Sequence, residues 1–248
     1  MKTRRPFGDL LRDFRDRRRL SQLSLAQDAE ISTRHLSFLE TGRSAPSREM
    51  VLRLSRVLGV PLRERNVMLN AAGFAPAFAE RALSDPGLAP ALRAVELVLE
   101  RHEPFPALAV DRHWNLVAKN RAVDALVSLA SPSLLKPPVN VLMLSLHPRG
   151  LAPRIRNLGQ WRAHLFHRLA HQIALSGDPK LEELLRSLQD LGGSQTAEPA
   201  AESYGGIAVP LTIETEAGVR SFLSTTTVFG TSVDVTLSEI TLECFFPL

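Results

Sequence analysis

Residues 32–47, STRHLSFLETGRSAPS, decide how the first third of the chain folds. Ser32 is a helix N-cap residue, because its hydroxyl can accept from the free amides of the turn that follows. Leu36 and Leu39 stand three apart and share one face of that helix, and the pattern breaks at Thr41-Gly42 ahead of Arg43 and Pro46. The sides the leucines leave free carry Thr33, Arg34, His35, Ser37 and Phe38. Packing alone gives no reason for that set.

The residues upstream supply the reason. A short helix from about Leu23 to Ala29 buries Leu25, Ala26 and Ala29, with Ser21 or Gln22 near its start, and only Glu30 and Ile31 separate it from Ser32. Two helices joined so tightly have the helix-turn-helix geometry, in which the second lies in the major groove of DNA with its N-terminal residues at the base edges. Leu36 and Leu39 then hold the helix to its domain while Thr33, Arg34, Ser37 and Phe38 face the groove. Arg34 has the fork to bond a guanine bidentately, and Phe38 can touch a thymine methyl. Three further helices complete the unit. One starts near Pro6, buries Leu10, Leu11 and Phe14 and turns Arg12, Arg15, Arg17 and Arg18 outward. Ser47 caps another that runs to Leu58 and stops at Gly59, and the last opens at Pro61 and ends at Gly73.

Charge agrees with this reading. Residues 1–73 hold 15 Lys and Arg against 8 Asp and Glu, a net +7, whereas the remaining residues sum to −3. The excess therefore belongs to the helical third and points it at a polyanion, although a solvated arginine-rich surface would have the same sum.

The stretch LSQLSLAQDAEISTRHLSFLETGRSAPSREMVLRLSRVLGVP, residues 20–61, resembles the Cro/C1-type helix-turn-helix, the XRE-like family of lambda-repressor-like domains. The matching residues are Leu25-Ala26, Ile31-Ser32, Leu39-Glu40, Gly42-Arg43 and Pro46. The resemblance implies that Gln22 and Arg43 bond phosphates and that Thr33, Arg34 and Phe38 reach bases, with Ser32, His35 and Ser37 completing the DNA-binding set. It also implies that Glu40 supports the domain internally, since DNA would repel it. Where the family has glycine in the turn this chain has Glu30, and a left-handed backbone there would cost roughly 1 kcal/mol. A slightly rebuilt turn is the expectation.

Beyond a connector at 74–85 the pattern changes. A helix is expected over Leu88 to His102, then two strands, Ala107–Asp111 and Trp114–Lys119, folded on each other by a tight turn. A helix follows Asn120, and after a Pro-interrupted segment come helices around Trp161–Leu175 and Lys180–Leu191 and a small, polar loop, GGSQTAEPAAESYGG. Ile207, Val209, Leu211 and Ile213 then alternate, Glu216-Ala217-Gly218 turns the chain, and strands over Arg220–Phe229 and Glu239–Phe246 end it. The sum is a five-stranded antiparallel sheet with helices on one face, and Pro210 requires the third strand to be an edge.

That order is similar to a PAS-like sensor domain, with strands 2-1-5-4-3. Together with the N-terminal third, AAGF, DRHWNLVAKNRA and the closing FGTSVDVTLSEITLECFFP resemble the MmyB-like transcription regulators over essentially the whole chain. The resemblance implies a ligand-binding C-terminal domain, and the ligand expected there is a small, largely apolar molecule, of which a fatty-acid-like one is an example.

Trp114, Trp161, Phe105 and Phe229 either line an apolar pocket between sheet and helices or form a filled core, because periodicity marks buried faces and does not reveal a cavity. His164 shares a helix face with His167 and His171 and is assigned to the groove side of that helix; HExxH is absent, so no metal is expected. His147 either closes a loop or, as a ligand-binding residue, meets an acidic ligand head group together with Arg149. No phosphate loop, GxSxG or CxxC occurs, so neither enzyme activity nor a cofactor is expected, and the single Cys244 excludes an internal disulfide.

The expected fold is mainly α with a mixed α/β C-terminal domain: five helices over 1–73, the connector, and the sheet domain over 86–248. The expected partners are double-stranded DNA, as an inverted repeat, a second copy of the chain in a homodimer, and the small ligand. A C-terminal domain that only dimerises or docks a partner protein is the alternative. No apolar run suits a leader or a membrane span, and a cytoplasmic location is expected.

Overall fold

The computed structural model describes residues 5–128, 130–192, 209–216, 218–230 and 233–248. The strand residue expected at Ile207, most of the loop expected from Gly192 to Gly206, and Ala217 lie outside the described residues. The chain divides into two compact units, one comprising Met1–Arg81, His171–Gly177 and Val233–Val235, and the other Ala82–Ala170, Asp178–Ser232 and Thr236–Leu248.

Five helices build the N-terminal unit: α1 (Phe7–Arg17), α2 (Gln22–Asp28), α3 (Thr33–Glu40), α4 (Arg48–Val57) and α5 (Leu62–Ala71). The serines act as read from the sequence. Ser21, Ser32 and Ser47 each accept from the backbone N–H three residues on, satisfying an amide that the helix itself leaves free. One apolar core gathers Leu11, Phe14, Leu25, Leu36, Leu39 and Leu54, among others. Gly8 is required where α1 crosses the end of α3, since a Cβ there would sit 2.5 Å from the Glu40 carbonyl oxygen.

The turn before α3 is not rebuilt. Glu30 adopts the left-handed conformation at φ +54°, and Ile31 N–H donates back to the Ala26 carbonyl at 2.9 Å, closing the C-terminus of α2 in the usual manner of a left-handed cap. The conformation is retained with a side chain that pays for it in backbone strain.

In the second unit α6 (Ala89–Arg101) leads into a five-stranded antiparallel sheet of order β2-β1-β5-β4-β3, formed by β1 (Ala107–Val110), β2 (Leu116–Lys119), β3 (Leu211–Thr215), β4 (Gly218–Val228) and β5 (Thr241–Pro247). Between β2 and β3 run α7 (Arg121–Val127), α8 (Val141–Leu146), α9 (Leu158–Ser176), whose residues from His171 on count with the first unit, and α10 (Pro179–Asp190); the short α11 (Val235–Ser238), whose Val235 also counts with the first unit, precedes β5. β3 is an edge strand, and Pro210 stands just before it.

Two expectations need correction. Helices flank both faces of the sheet rather than one. Val95 and Leu99 of α6 pack against Ala107, Ala109, Leu242 and Cys244, while the alternate residues Leu108 and Phe245 face side chains of α7, α8 and α9. The even period of the strands sends neighbouring residues to opposite sides, and both sides here are apolar. Trp114 also does not begin the second strand. It occupies the β1–β2 turn at φ +65°, where the Asp111 carboxylate accepts the N–H groups of His113 and Asn115, each at 2.8 Å. This turn carries the indole into the interior, where it is 3% exposed.

Candidate DNA-binding surface and ligand cavity

The recognition surface is built around α3. Leu36 and Leu39 are buried, as are Leu25 and Ala26 of α2, so the two helices are fixed to each other by one apolar seam. Glu40, 2% exposed, braces the inner side. Arg15 Nε donates to its Oε1 at 2.6 Å and Arg15 Nη2 to Oε2 at 3.0 Å, and Gln22 Nε2 reaches Oε2 at 2.8 Å. Burial by itself would raise the Glu40 pKa, but the hydrogen bonds from Arg15 and Gln22 and the charges of Arg15 and Arg12 outweigh it and hold the carboxyl below its usual range. Glu40 thus supports the domain from within. Gln22 spends one amide hydrogen on it, which fixes the side chain at the start of α2.

On the outer side Arg34 and Arg43 are exposed, while Thr33, His35, Ser37 and Phe38 are half-buried. Ser32 is committed to its cap, with His35 N–H donating to its hydroxyl at 3.1 Å. The Arg34 and Arg43 guanidinium carbons lie 5.3 and 5.9 Å from the Phe38 ring centroid, so one aromatic ring attracts both cations. Neither arginine has an ion-pair partner among the described residues, which leaves both charges available to an external anion.

The second site is a cavity of about 90 Å³ on the inner face of the sheet. Its wall is made by Leu108, Phe245 and Leu211 from strands, and by side chains such as Val123, Leu142 and Leu165 from helices. Trp114 and Trp161 both line it. Besides the indoles, among the described residues only Ser145, Arg168 and Glu243 bring polar side-chain atoms to the lining. Trp161 Nε1 donates to Ser145 Oγ at 3.0 Å, and the Arg168 guanidinium lies 4.9 Å from the Trp114 ring centroid.

Two family models match the chain. A helix-turn-helix domain model matches residues 6–68, and the model for the MmyB-like transcription regulator ligand binding domain matches residues 91–248. The chain belongs to the MmyB-like transcription regulators. Both families are families of regulators rather than of enzymes, and the helix-turn-helix unit makes DNA a partner of this MmyB-like protein as the second domain makes a small molecule one. No match was found among curated proteins. No described helix is long and apolar enough to cross a membrane.

Of the six residues expected to contact ligand in this MmyB-like chain, the structure brings Trp114 and Trp161 to the cavity. His164 stacks on Trp161 with ring centroids 5.4 Å apart, one layer behind the wall, and burial followed by the charges of Arg168 and His167 lowers its pKa. His147 accepts the Arg149 N–H at 2.9 Å and closes its loop. Phe105 borders a separate, more open groove with Pro104 and Phe222, and Phe229 packs on the α6 face of the sheet. Sequence reading missed Arg168, Glu243 and Ser145. The one available signal was the period of β5, which sets Glu243 opposite in face to Leu242 and Cys244. Among the described residues no group of three or more His, Cys, Asp or Glu is placed to hold a metal.

Proposed function

We propose that this MmyB-like regulator binds a specific operator through residues 1–73 and tunes that binding through a small, largely apolar ligand held in the sheet domain at 86–248, with 74–85 as connector. Arg34, Thr33 and Phe38 read bases. Gln22 and Arg43 bond phosphates, and Ser32, His35 and Ser37 lie along the same surface. A single helix-turn-helix covers few base pairs, so the working form is a homodimer on an inverted repeat with half-sites about one helical turn apart.

The observation that carries the ligand half is the apolar cavity lined by both tryptophans. Ligand acts by binding two arrangements of the dimer with different affinity, since equal affinity for both would shift nothing.

The test is a fluorescence-anisotropy titration of the full chain against its own upstream DNA and a scrambled duplex, at fixed near-physiological salt. A preference of about a hundredfold or more for the upstream DNA supports a sequence-specific regulator. Equal, salt-sensitive binding to several candidate operators and to scrambled DNA would reduce the N-terminal unit to a basic surface.

A further inference from the structure

The cavity wall contains two opposite charges that already satisfy each other. Arg168 Nη1 donates to Glu243 Oε2 at 3.1 Å and Nη2 to Oε1 at 2.5 Å, a two-point pairing of guanidinium and carboxylate. Thr226 Oγ1 accepts from Arg168 Nη2 at 3.0 Å and donates to Glu243 Oε1 at 3.1 Å. The Glu243 side chain is 5% exposed, and Trp114 covers the guanidinium.

A ligand carboxylate would meet a guanidinium whose charge Glu243 already balances: bonding its remaining N–H groups would add a second negative charge to the wall, and taking it outright would leave the buried Glu243 carboxylate without its cation. An ammonium would likewise meet a carboxylate whose charge Arg168, with 21% of its side chain exposed, already balances, so it would bring an uncompensated positive charge to a largely apolar wall or displace the guanidinium. Removing one partner of a buried pair is strongly unfavourable, so either exchange works against binding. Ser145 differs. Its oxygen accepts from Trp161, and among the described residues its hydroxyl hydrogen has no acceptor, which leaves a neutral donor beside the paired charges of an otherwise largely apolar lining.

We infer that the cavity selects an uncharged, slender, lipophilic molecule with a single acceptor oxygen, such as a ketone, ester or lactone, whose oxygen takes the Ser145 hydrogen bond. This rests on the reading of the cavity as the ligand site. The hydrocarbon part of a fatty-acid-like molecule fits such a wall; an ionised head group does not. The Arg168–Glu243 pair then acts as a filter against charge rather than as an anchor.

The chain's two tryptophans both line the cavity, so their fluorescence reports occupancy of the full-length protein. The probes are 2-nonanone, nonanoate and nonylammonium, matched in chain length and compared at about pH 7. The ketone should bind at least about tenfold more tightly than either ion. Ser145→Ala should weaken the ketone about fivefold, the scale of one lost hydrogen bond. Glu243→Gln, which releases the Arg168 charge, should move the preference to nonanoate. Nonanoate or nonylammonium binding the wild type as tightly as the ketone would overturn the inference while leaving the cavity a ligand site. If none of the three probes binds, the ligand-site reading fails and the inference falls with it. Should Glu243→Gln lose its circular-dichroism signature of folding, the wild-type ranking decides alone.

Discussion

Arg34 and Phe38 lie one turn apart on α3, with the guanidinium carbon 5.3 Å from the ring centroid. The ring holds a long, exposed side chain near one direction before DNA arrives, which lowers the ordering cost of a bidentate base contact. Arg34→Ala should weaken operator binding by about 1–3 kcal/mol and relax the preference at one base pair. Competition titrations over single-position operator variants measure both effects. A uniform loss at every position would assign Arg34 to the phosphate backbone instead.

Arg43 meets the same ring from beyond the far end of α3, and in the proposed function it bonds a phosphate. Arg43→Ala should therefore lower affinity for specific and scrambled DNA alike. It should also flatten the slope of log affinity against log salt by about 0.9, the share of one phosphate contact. A salt series from low to physiological concentration reads the slope directly.

The Arg15–Glu40 pair ties α1 to α3, and Glu40→Ala would leave Arg15, with 12% of its side chain exposed, without its main partner. The expected loss is about 3–5 kcal/mol in stability of the N-terminal unit, measured by urea unfolding. Because the folded pKa of Glu40 is depressed, the stabilisation is complete above the unfolded value near 4.3 and is lost as pH falls through the folded one. Glu40→Gln should remove that portion of the acid dependence.

Glu30 holds a left-handed backbone without the freedom of glycine. Glu30→Gly should raise stability by about 1 kcal/mol or less, the strain relieved minus the greater entropy glycine loses on folding. Operator preference should be unchanged, because the turn already has the geometry glycine would give it. A shift in base preference for this variant would show that α3 had been re-aimed.

Val123 of α7 is buried and lines the cavity. Val123→Phe should fill part of the space, cost about 1–3 kcal/mol through overpacking, and abolish the tryptophan response to 2-nonanone. DNA affinity without ligand should stay within about twofold of wild type, since the overpacking cost is carried by the free and the DNA-bound protein alike and cancels in the binding equilibrium.

The N-terminal unit was legible because its signals are local. Ser21, Ser32 and Ser47 each meet an amide three residues away, and Leu36 and Leu39 need only the helix period to find one face. The left-handed state of Glu30 was not legible, as a glutamate there argues against the conformation it holds. In the sheet domain alternation marked the strands and Pro210 an edge, and the order 2-1-5-4-3 came from the resemblance to PAS-like domains, but nothing in the sequence marked the cavity. Arg168 and Glu243 are 75 residues apart, and no spacing rule connects a helical arginine to a strand glutamate at that separation. Ring size also misled: Phe105 and Phe229 have the bulk expected of a pocket lining, yet one borders another groove and the other packs beneath α6. Which face a strand residue takes decides its environment, and that depends on register set by distant partners.

The sheet order has a consequence for biosynthesis. β5, at residues 241–247, lies between β1 and β4, so the middle of the sheet is supplied after every other strand has been made. At translation speeds of about 5–20 residues per second, roughly 6–25 s separate the synthesis of Lys119, the end of β2, from that of Pro247. The five helices of the N-terminal unit are complete by Ala71. On the ribosome, β1 and β2 therefore wait with one edge unpaired, a period in which a nascent chain is open to chaperones and to wrong strand partners.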